Sequence, residues 1–263
     1  MQAMVVGGVT LHFRDEGPQH APALVFSNSL GTDFRIWDRL LPLLPAGWRV
    51  IRYDTRGHGL SEAPARAWSM DDLGDDLAGL LDGLGVRGAV VCGLSIGGMI
   101  AQTLAARRPD LARALILCDT AAKIGDTASW NARIAAVERD GIAAIAGPVL
   151  QRWFSARFHE RRVEELALWR EMLTRTPVAG YVGCAAAIRD ADLTGATARL
   201  RLPTLAVAGD EDGATPPALV EATARSIPGA RFSVIDGAGH LPCIEQPAAL
   251  AALIADFLGD LRS

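Results

Sequence analysis

With 263 residues, half of them hydrophobic and 21% charged, the chain has ordinary globular composition and is long enough to bury a core without metal or disulfide staples. A formal net charge of −4, with no block of lysine or arginine, argues against nucleic acid or an anionic membrane as partner. No apolar stretch approaches the roughly 18 residues of a membrane helix, the start MQAMVVGGVTLHFRDEG lacks the pattern of a secretory signal, and Cys92, Cys118, Cys184 and Cys243, without C-x-x-C spacing, suit a reducing cytoplasm.

Residues 4–6 and 9–14 read as an opening hairpin that turns on Gly7-Gly8. PALVFSNS (22–29) reads as a buried strand, and in DFRIWDRLLPLL the positions of Phe34, Trp37, Leu40, Leu41 and Leu44 predict a helix. WRVIRYD (48–54) is the next strand. Ser69 followed by Met70-Asp71-Asp72 predicts an N-cap and an acidic first turn, for a helix that buries Leu73, Leu77, Leu80 and Leu81 and stops before Gly85. A strand at 88–93, a helix from about 95 to 107 and a strand at 113–118 follow.

From 121 to 198 the alternation breaks, and helical stretches through Trp153, Phe154, Phe158 and RVEELALWREML carry no strand pattern. It resumes with PTLAVAGD (203–210), the helix PPALVEATARSI, the strand RFSVIDG and a last helix near 247–262. Eight short strands alternating with amphipathic helices imply an α/β fold, a mostly parallel sheet flanked by helices on both faces. Residues 1–120 and 199–263 would build that core, and 121–198 would be a helical cap inserted over it.

The stretch CGLSIGG (92–98) carries the chemistry. Gly93-Leu94-Ser95-Ile96-Gly97 fits G-x-S-x-G at a strand-to-helix junction, the context in which the serine sits on a tight, strained turn with its oxygen exposed. Side chains two before and two after would collide with the neighbouring strand and helix. A serine hydroxyl needs a base. His240, in DGAGHLPCIEQP after a predicted strand, is the best placed; His12, His20 and His159 do not follow sheet strands, and His58 in RYDTRGHG suits a structural role in a tight loop. The imidazole needs a carboxylate. Asp212 in AGDEDGATPP is one candidate, with Asp210, Glu211 and Asp119 as alternatives. Thr215-Pro216-Pro217 reads as an N-cap with prolines opening the next helix. Arg56 is expected to brace the loops around the site with Asp54 as its partner.

VFSNSLG, YDTRGHGLS, CGLSIGG, GDEDGATPP and GAGHLPCIEQP together resemble the α/β-hydrolase family along the whole chain. The order Ser95, Asp212, His240 is the order that arrangement uses. The resemblance implies that the acid stands three residues before Thr/Val-Pro, which selects Asp212. It implies an oxyanion hole from the backbone N–H groups of Leu30 and Ile96. Most members carry His-Gly where this chain has Asn28-Ser29, which suggests a subfamily. SNSLGTDFRIWD, RYDTRGHG, CDTAAKIG, WNARI and GCAAAIRDADL resemble 3-oxoadipate enol-lactonases of the β-ketoadipate pathway more narrowly.

That resemblance implies hydrolysis of a small anionic lactone through an acyl-enzyme; no cofactor is expected, and no His/Asp/Cys cluster in the sequence suggests a metal. A substrate-binding cation is then expected in the insertion, from Lys123, Arg133 or Arg189, with Trp130 as an apolar wall. An esterase, perhydrolase or carbon–carbon hydrolase using the same triad is the competing enzyme class. A dehalogenase would place Asp where Ser95 stands, and a non-catalytic receptor would not need an intact triad.

Overall fold

Long apolar runs become strands here because both faces of the sheet are covered. β3 (Ala23–Ser27), β5 (Ala89–Leu94) and β7 (Thr204–Gly209) are buried at every residue. The computed structural model describes residues 1–65 and 67–261. Its sheet has eight strands among the described residues, in the order β1-β2-β4-β3-β5-β6-β7-β8. The others are β1 (Gln2–Val6), β2 (Val9–Glu16), β4 (Arg49–Tyr53), β6 (Ala112–Cys118) and β8 (Arg231–Ile235). β1 and β2 pair antiparallel, as do β2 and β4; every other pair is parallel. Gly7 and Gly8 make the first turn with φ of 54° and 83°.

α1 (Met70–Gly83) begins on a capping box: the Ser69 hydroxyl accepts from Asp72 N–H while the Asp72 carboxylate accepts from Ser69 N–H. α2 (Ile96–Arg107) is buried from Ile96 to Ala105, as a helix between a sheet and other helices must be. Between β6 and β7 the chain runs through α3 (Thr127–Asp140), α4 (Ala143–Trp153), α5 (Ala156–Arg161), α6 (Val163–Thr174), α7 (Val178–Asp190) and α8 (Thr194–Thr197). α9 (Pro217–Ser226) joins β7 to β8, and α10 (Pro242–Glu245) and α11 (Pro247–Asp260) follow β8. Residue 262, expected at the end of the last helix, lies outside the described residues. No helix among the described residues is long and apolar enough to cross a membrane.

Three expectations change. DFRIWDRLLPLL does not form one α-helix but two 3-10 turns, Phe34–Trp37 and Leu41–Leu43. Pro42 has no N–H to return to the Asp38 carbonyl, and the Phe34 N–H is taken by Asp54 Oδ1 at 3.0 Å. Arg56 is not paired with Asp54; its Nε and Nη2 reach Asp76 of α1, both at 2.6 Å, with each side chain 3% exposed. Asp54 instead accepts from His12, Phe34 and Leu60. Thr215 does not cap α9. Pro216 occupies that position, and the Thr215 hydroxyl is drawn to a charged acceptor, Asp212 Oδ2, at 2.6 Å.

The loop after β4 locks onto α7 through glycine. Gly57 has φ 77°, and a Cβ there would overlap the Gly180 backbone, while one on Gly180 would overlap that of Gly57. Gly57→Ala should therefore lower unfolding stability by about 3 kcal/mol, the sum of left-handed strain and an unrelieved backbone collision. Gly47→Ala, also at positive φ but with open space around it, should lose only about 1 kcal/mol. Equal urea midpoints for the two variants would remove this contact from the account.

Candidate active site

β3 and β5 are neighbours whose onward connections run to opposite sides, and in open parallel sheets the crevice past such a switch point is where ligands bind. Ser29 and Leu30 follow β3, and Ser95 follows β5. Ser95 has φ 57° and ψ −120°, a conformation that costs a non-glycine residue on the order of 1–3 kcal/mol and must be held by its surroundings. Its N–H donates to Cys118 O at 3.0 Å and its carbonyl accepts from the Thr120 hydroxyl at 2.6 Å, which ties the turn to β6. A Cβ on Gly93 would lie 2.6 Å from Gly98 N, and one on Gly97 2.8 Å from Asn28 O. The collisions expected from the motif, with the helix ahead and the strand alongside, are the ones the backbone would produce. Ile96 is the first residue of α2, so its N–H has no carbonyl one turn back in the helix.

A cavity of about 440 Å³ brings together Ser29, Leu30, Ser95 and His240 from the core with Trp130, Arg133, Arg152 and Tyr181 from the inserted helices. His240 Nδ1 lies 2.9 Å from Asp212 Oδ2, and both residues are buried. Asp212 also accepts from Ala214 N–H (2.7 Å), Thr215 N–H (3.0 Å) and the Thr215 hydroxyl. Burial pushes its carboxyl up, but the charge and hydrogen bond of His240, with the bonds from Thr215 and Ala214, outweigh burial and hold it at about 2. A charged Asp212 accepts the Nδ1 proton and leaves His240 Nε2 as the basic nitrogen, on the side where Ser29 Oγ stands 3.5 Å away.

Of the other acids, Asp210 and Glu211 are exposed and bond the backbone of Ala238 and Ala156. Asp119 is fully buried, with a carboxylate oxygen within 4.8 Å of one of Asp212. Glu245 accepts from Gly239 N–H beside His240 and from Ser155 N–H and Oγ, joining the histidine loop to the inserted helices.

The residues expected to bind substrate divide. Trp130 lines the cavity and anchors its Nε1 to Ile124 O at 2.7 Å, and the Arg133 guanidinium stacks 4.7 Å from its ring centroid. Lys123 lies outside the cavity lining, ion-paired with Asp192 at 3.1 Å, and Arg189 is turned to Asp190 and Asn131. Arg152 takes a place no sequence pattern marked. Neither Arg133 nor Arg152 has a carboxylate partner among the described residues. Both line the same cavity, where burial, and next the like charge of Arg133, push the Arg152 guanidinium down.

The loop after β3 is fixed by groups the sequence did not single out for it. Asn28 Nδ2 donates to Tyr53 O at 2.7 Å and its Oδ1 accepts from Trp37 Nε1 at 2.8 Å. His58 Nε2 accepts from Gly31 N–H at 2.9 Å, its Nδ1 faces Arg56 O at 3.2 Å, and burial holds the imidazole at about 4. His58 is thus neutral near pH 7, which fits the structural role read for it.

The model of the alpha/beta hydrolase family matches residues 24–253. The chain is 36% identical over 255 residues to 3-oxoadipate enol-lactonase 1 of Acinetobacter baylyi, spanning 97% of this chain and 95% of that one. An enol-lactonase structure from Burkholderia xenovorans superposes with a TM-score of 0.94 at 39% identity, covering 98% of this chain and all of the other. A thermophilic esterase from Thermogutta terrifontis, solved with malate bound, gives 0.93 at 30% identity with both chains fully covered.

His58 predicts a pH dependence of stability. Its folded value of about 4 lies below the ordinary 6.5, so the folded state prefers the neutral ring and the unfolded state binds the extra proton between those values. The contribution is complete above pH 6.5 and is lost as pH falls toward 4, reaching about 3 kcal/mol. In chemical unfolding at stepped pH, the gap between wild type and His58→Gln should narrow as pH falls through this window. A constant gap would contradict it.

Proposed function

The chain belongs to the alpha/beta hydrolase family, and from that premise we propose that it is a serine hydrolase of small anionic lactones, with 3-oxoadipate enol-lactone as substrate and 3-oxoadipate as product. One observation carries the choice of substrate: two guanidiniums without acidic partners share a 440 Å³ cavity with Ser95 and His240. Arg133 is half-buried against Trp130 and Arg152 is exposed with its Nε on Pro148 O, so a carboxylate in the cavity would meet two cations that no acidic side chain neutralises. The named enol-lactonases at 36% and 39% identity support the ring, and the malate in the esterase neighbour supports a carboxylated ligand.

In this reading His240 Nε2 takes the Ser95 proton as Oγ attacks the ring carbonyl. The oxyanion is held by the N–H groups of Leu30 and Ile96, each worth about 3 kcal/mol of barrier. The ring C–O bond breaks, the enol oxygen takes the proton from His240, and the opened chain stays on Ser95 as an ester. Water, losing its proton to His240, then attacks that ester and Ser95 Oγ leaves with the proton. Asp212 stays ionised throughout and stabilises the imidazolium. Residues 121–198 act as a cap that supplies Trp130 as wall and Arg133 and Arg152 for the free carboxylate. Lys123 and Arg189, held by their own partners outside the cavity, take no part in binding.

Ser95→Ala should abolish turnover of freshly generated enol-lactone with little change in thermal unfolding, and an active variant would refute the mechanism. Asp212→Asn should lose far more activity than Asp210→Asn; the reverse ranking would reassign the acid. Arg133→Ala or Arg152→Ala should raise KM about tenfold or more for the anionic lactone and less for a neutral ester, from loss of a charge-assisted contact. Equal effects on both substrates would take these residues off the carboxylate.

A further inference from the structure

Asp119 is a buried acid that the mechanism above leaves unused. It stands just past β6 with φ 46°, and it and Ser95 are the two non-glycine residues at positive φ among the described residues. Aspartate tolerates this region better than most side chains, yet the conformation persists only where the surroundings enforce it. Here they do: Asp119 N–H donates to Val207 O at 2.8 Å, and its Oδ1 accepts from Gly209 N–H at 2.8 Å. Oδ2 has no hydrogen-bond partner and the residue is wholly buried. A buried carboxylate oxygen without a donor is one of the costlier arrangements a protein can hold.

The cost is relieved if Asp119 is a carboxylic acid. A carboxylate oxygen of Asp119, one of Asp212 and a ring nitrogen of His240 all lie within 4.8 Å of one another. Two carboxyls this close cannot both ionise cheaply in a buried site. Asp212 is the one bonded to His240, to Thr215 and to two backbone N–H groups, so the negative charge rests there. Burial, and next the charge of Asp212, push the Asp119 carboxyl well above its ordinary range.

We propose that Asp119 and Asp212 form an acid pair that carries a single negative charge behind His240, with Asp119 holding the proton as a positioning residue and able to ionise as the partner of His240 when Asp212 is neutralised. The inference rests on the Ser95–His240–Asp212 reading. Asp119 gives up no proton during the normal cycle. It keeps the second charge out of the pocket and fills the space behind Asp212 with a neutral acid.

The test is a cycle of variants in the full chain, assayed for kcat against pH on the enol-lactone. Asp119→Ala should lower kcat at least about tenfold with KM little changed, and Asp119→Asn, which keeps the bond to Gly209 and a donor beside Asp212, should recover most of the loss. Asp212→Asn should keep a residual activity that rises with pH as Asp119 ionises. Adding Asp119→Asn to it should remove that limb and cost at least another tenfold, because no titratable carboxyl then remains behind the ring. Identical pH profiles and rates for Asp212→Asn and the double variant would overturn the proposal, even if Asp119→Ala alone fails to fold. Asp212→Asn at wild-type rate would overturn the triad and the pair together. Ser95→Ala, inactive in every background, shows that the nucleophile reading stands where the Asp119 result fails.

Discussion

The structure hinges on a single backbone conformation. Ser95 at φ 57° is disfavoured by its own chemistry, and it is enforced by hydrogen bonds to Cys118 and Thr120 and by the closeness of Gly93 and Gly97 to their neighbours. Release that turn and the hydroxyl would fold back as a helix cap, the first N–H of α2 would no longer point at the same space, and the packing of α2 against β3 would change. The stable sheet on either side maintains a strained loop in the middle. Stability in the core is therefore what holds the oxygen in place.

Electrostatic arrangement around the turn follows a division of labour by burial. The histidine that faces the cavity has a charged acid behind it, while the histidine that props the β3 loop has only a backbone carbonyl and a thiol near its Nδ1, and burial keeps it neutral. Of the other acids weighed for that place, Asp210 and Glu211 are exposed, and burial and the charge of Asp212 push the Asp119 carboxyl up. Among the described residues the cations that line the cavity, Arg133 and Arg152, come from the inserted helices, while Ser95 and His240 come from loops that follow sheet strands. Cationic lining and the hydroxyl–imidazole pair are carried by separate parts of the chain.

Much of this was legible in the residues. Strand and helix order could be read because parallel strands buried on both faces are unbroken apolar runs, and the motif around Ser95 imposes small residues at fixed offsets. The Ser69 cap was equally plain, since its partner is three residues away. What resisted reading was long-range. Nothing near Arg56 says that its carboxylate is Asp76, on the next helix, and not Asp54, two residues before it, because only the path of the chain decides. Thr215 is the short-range exception: it looks like a cap, but its hydroxyl goes to Asp212, whose charge is set by the distant His240, and Pro216 takes the cap position. Arg152 and Arg189 look alike in sequence, each at the end of a helix; only the tertiary turn of α4 against the acid loop directs one of them toward the cavity and leaves the other to Asp190.

The contact between Gly57 and Gly180 has a consequence for how such a molecule changes over generations. α7 cannot accept so much as a methyl group at that point, so its seat on the β4 loop is frozen. α3 and α4 line the site with side chains alone, Trp130, Arg133 and Arg152 among them, and α7 adds Tyr181 from a fixed backbone. A lineage that exchanged one acyl group for another could shift α3 and α4 as well as change their side chains, while α7 stayed as the keel.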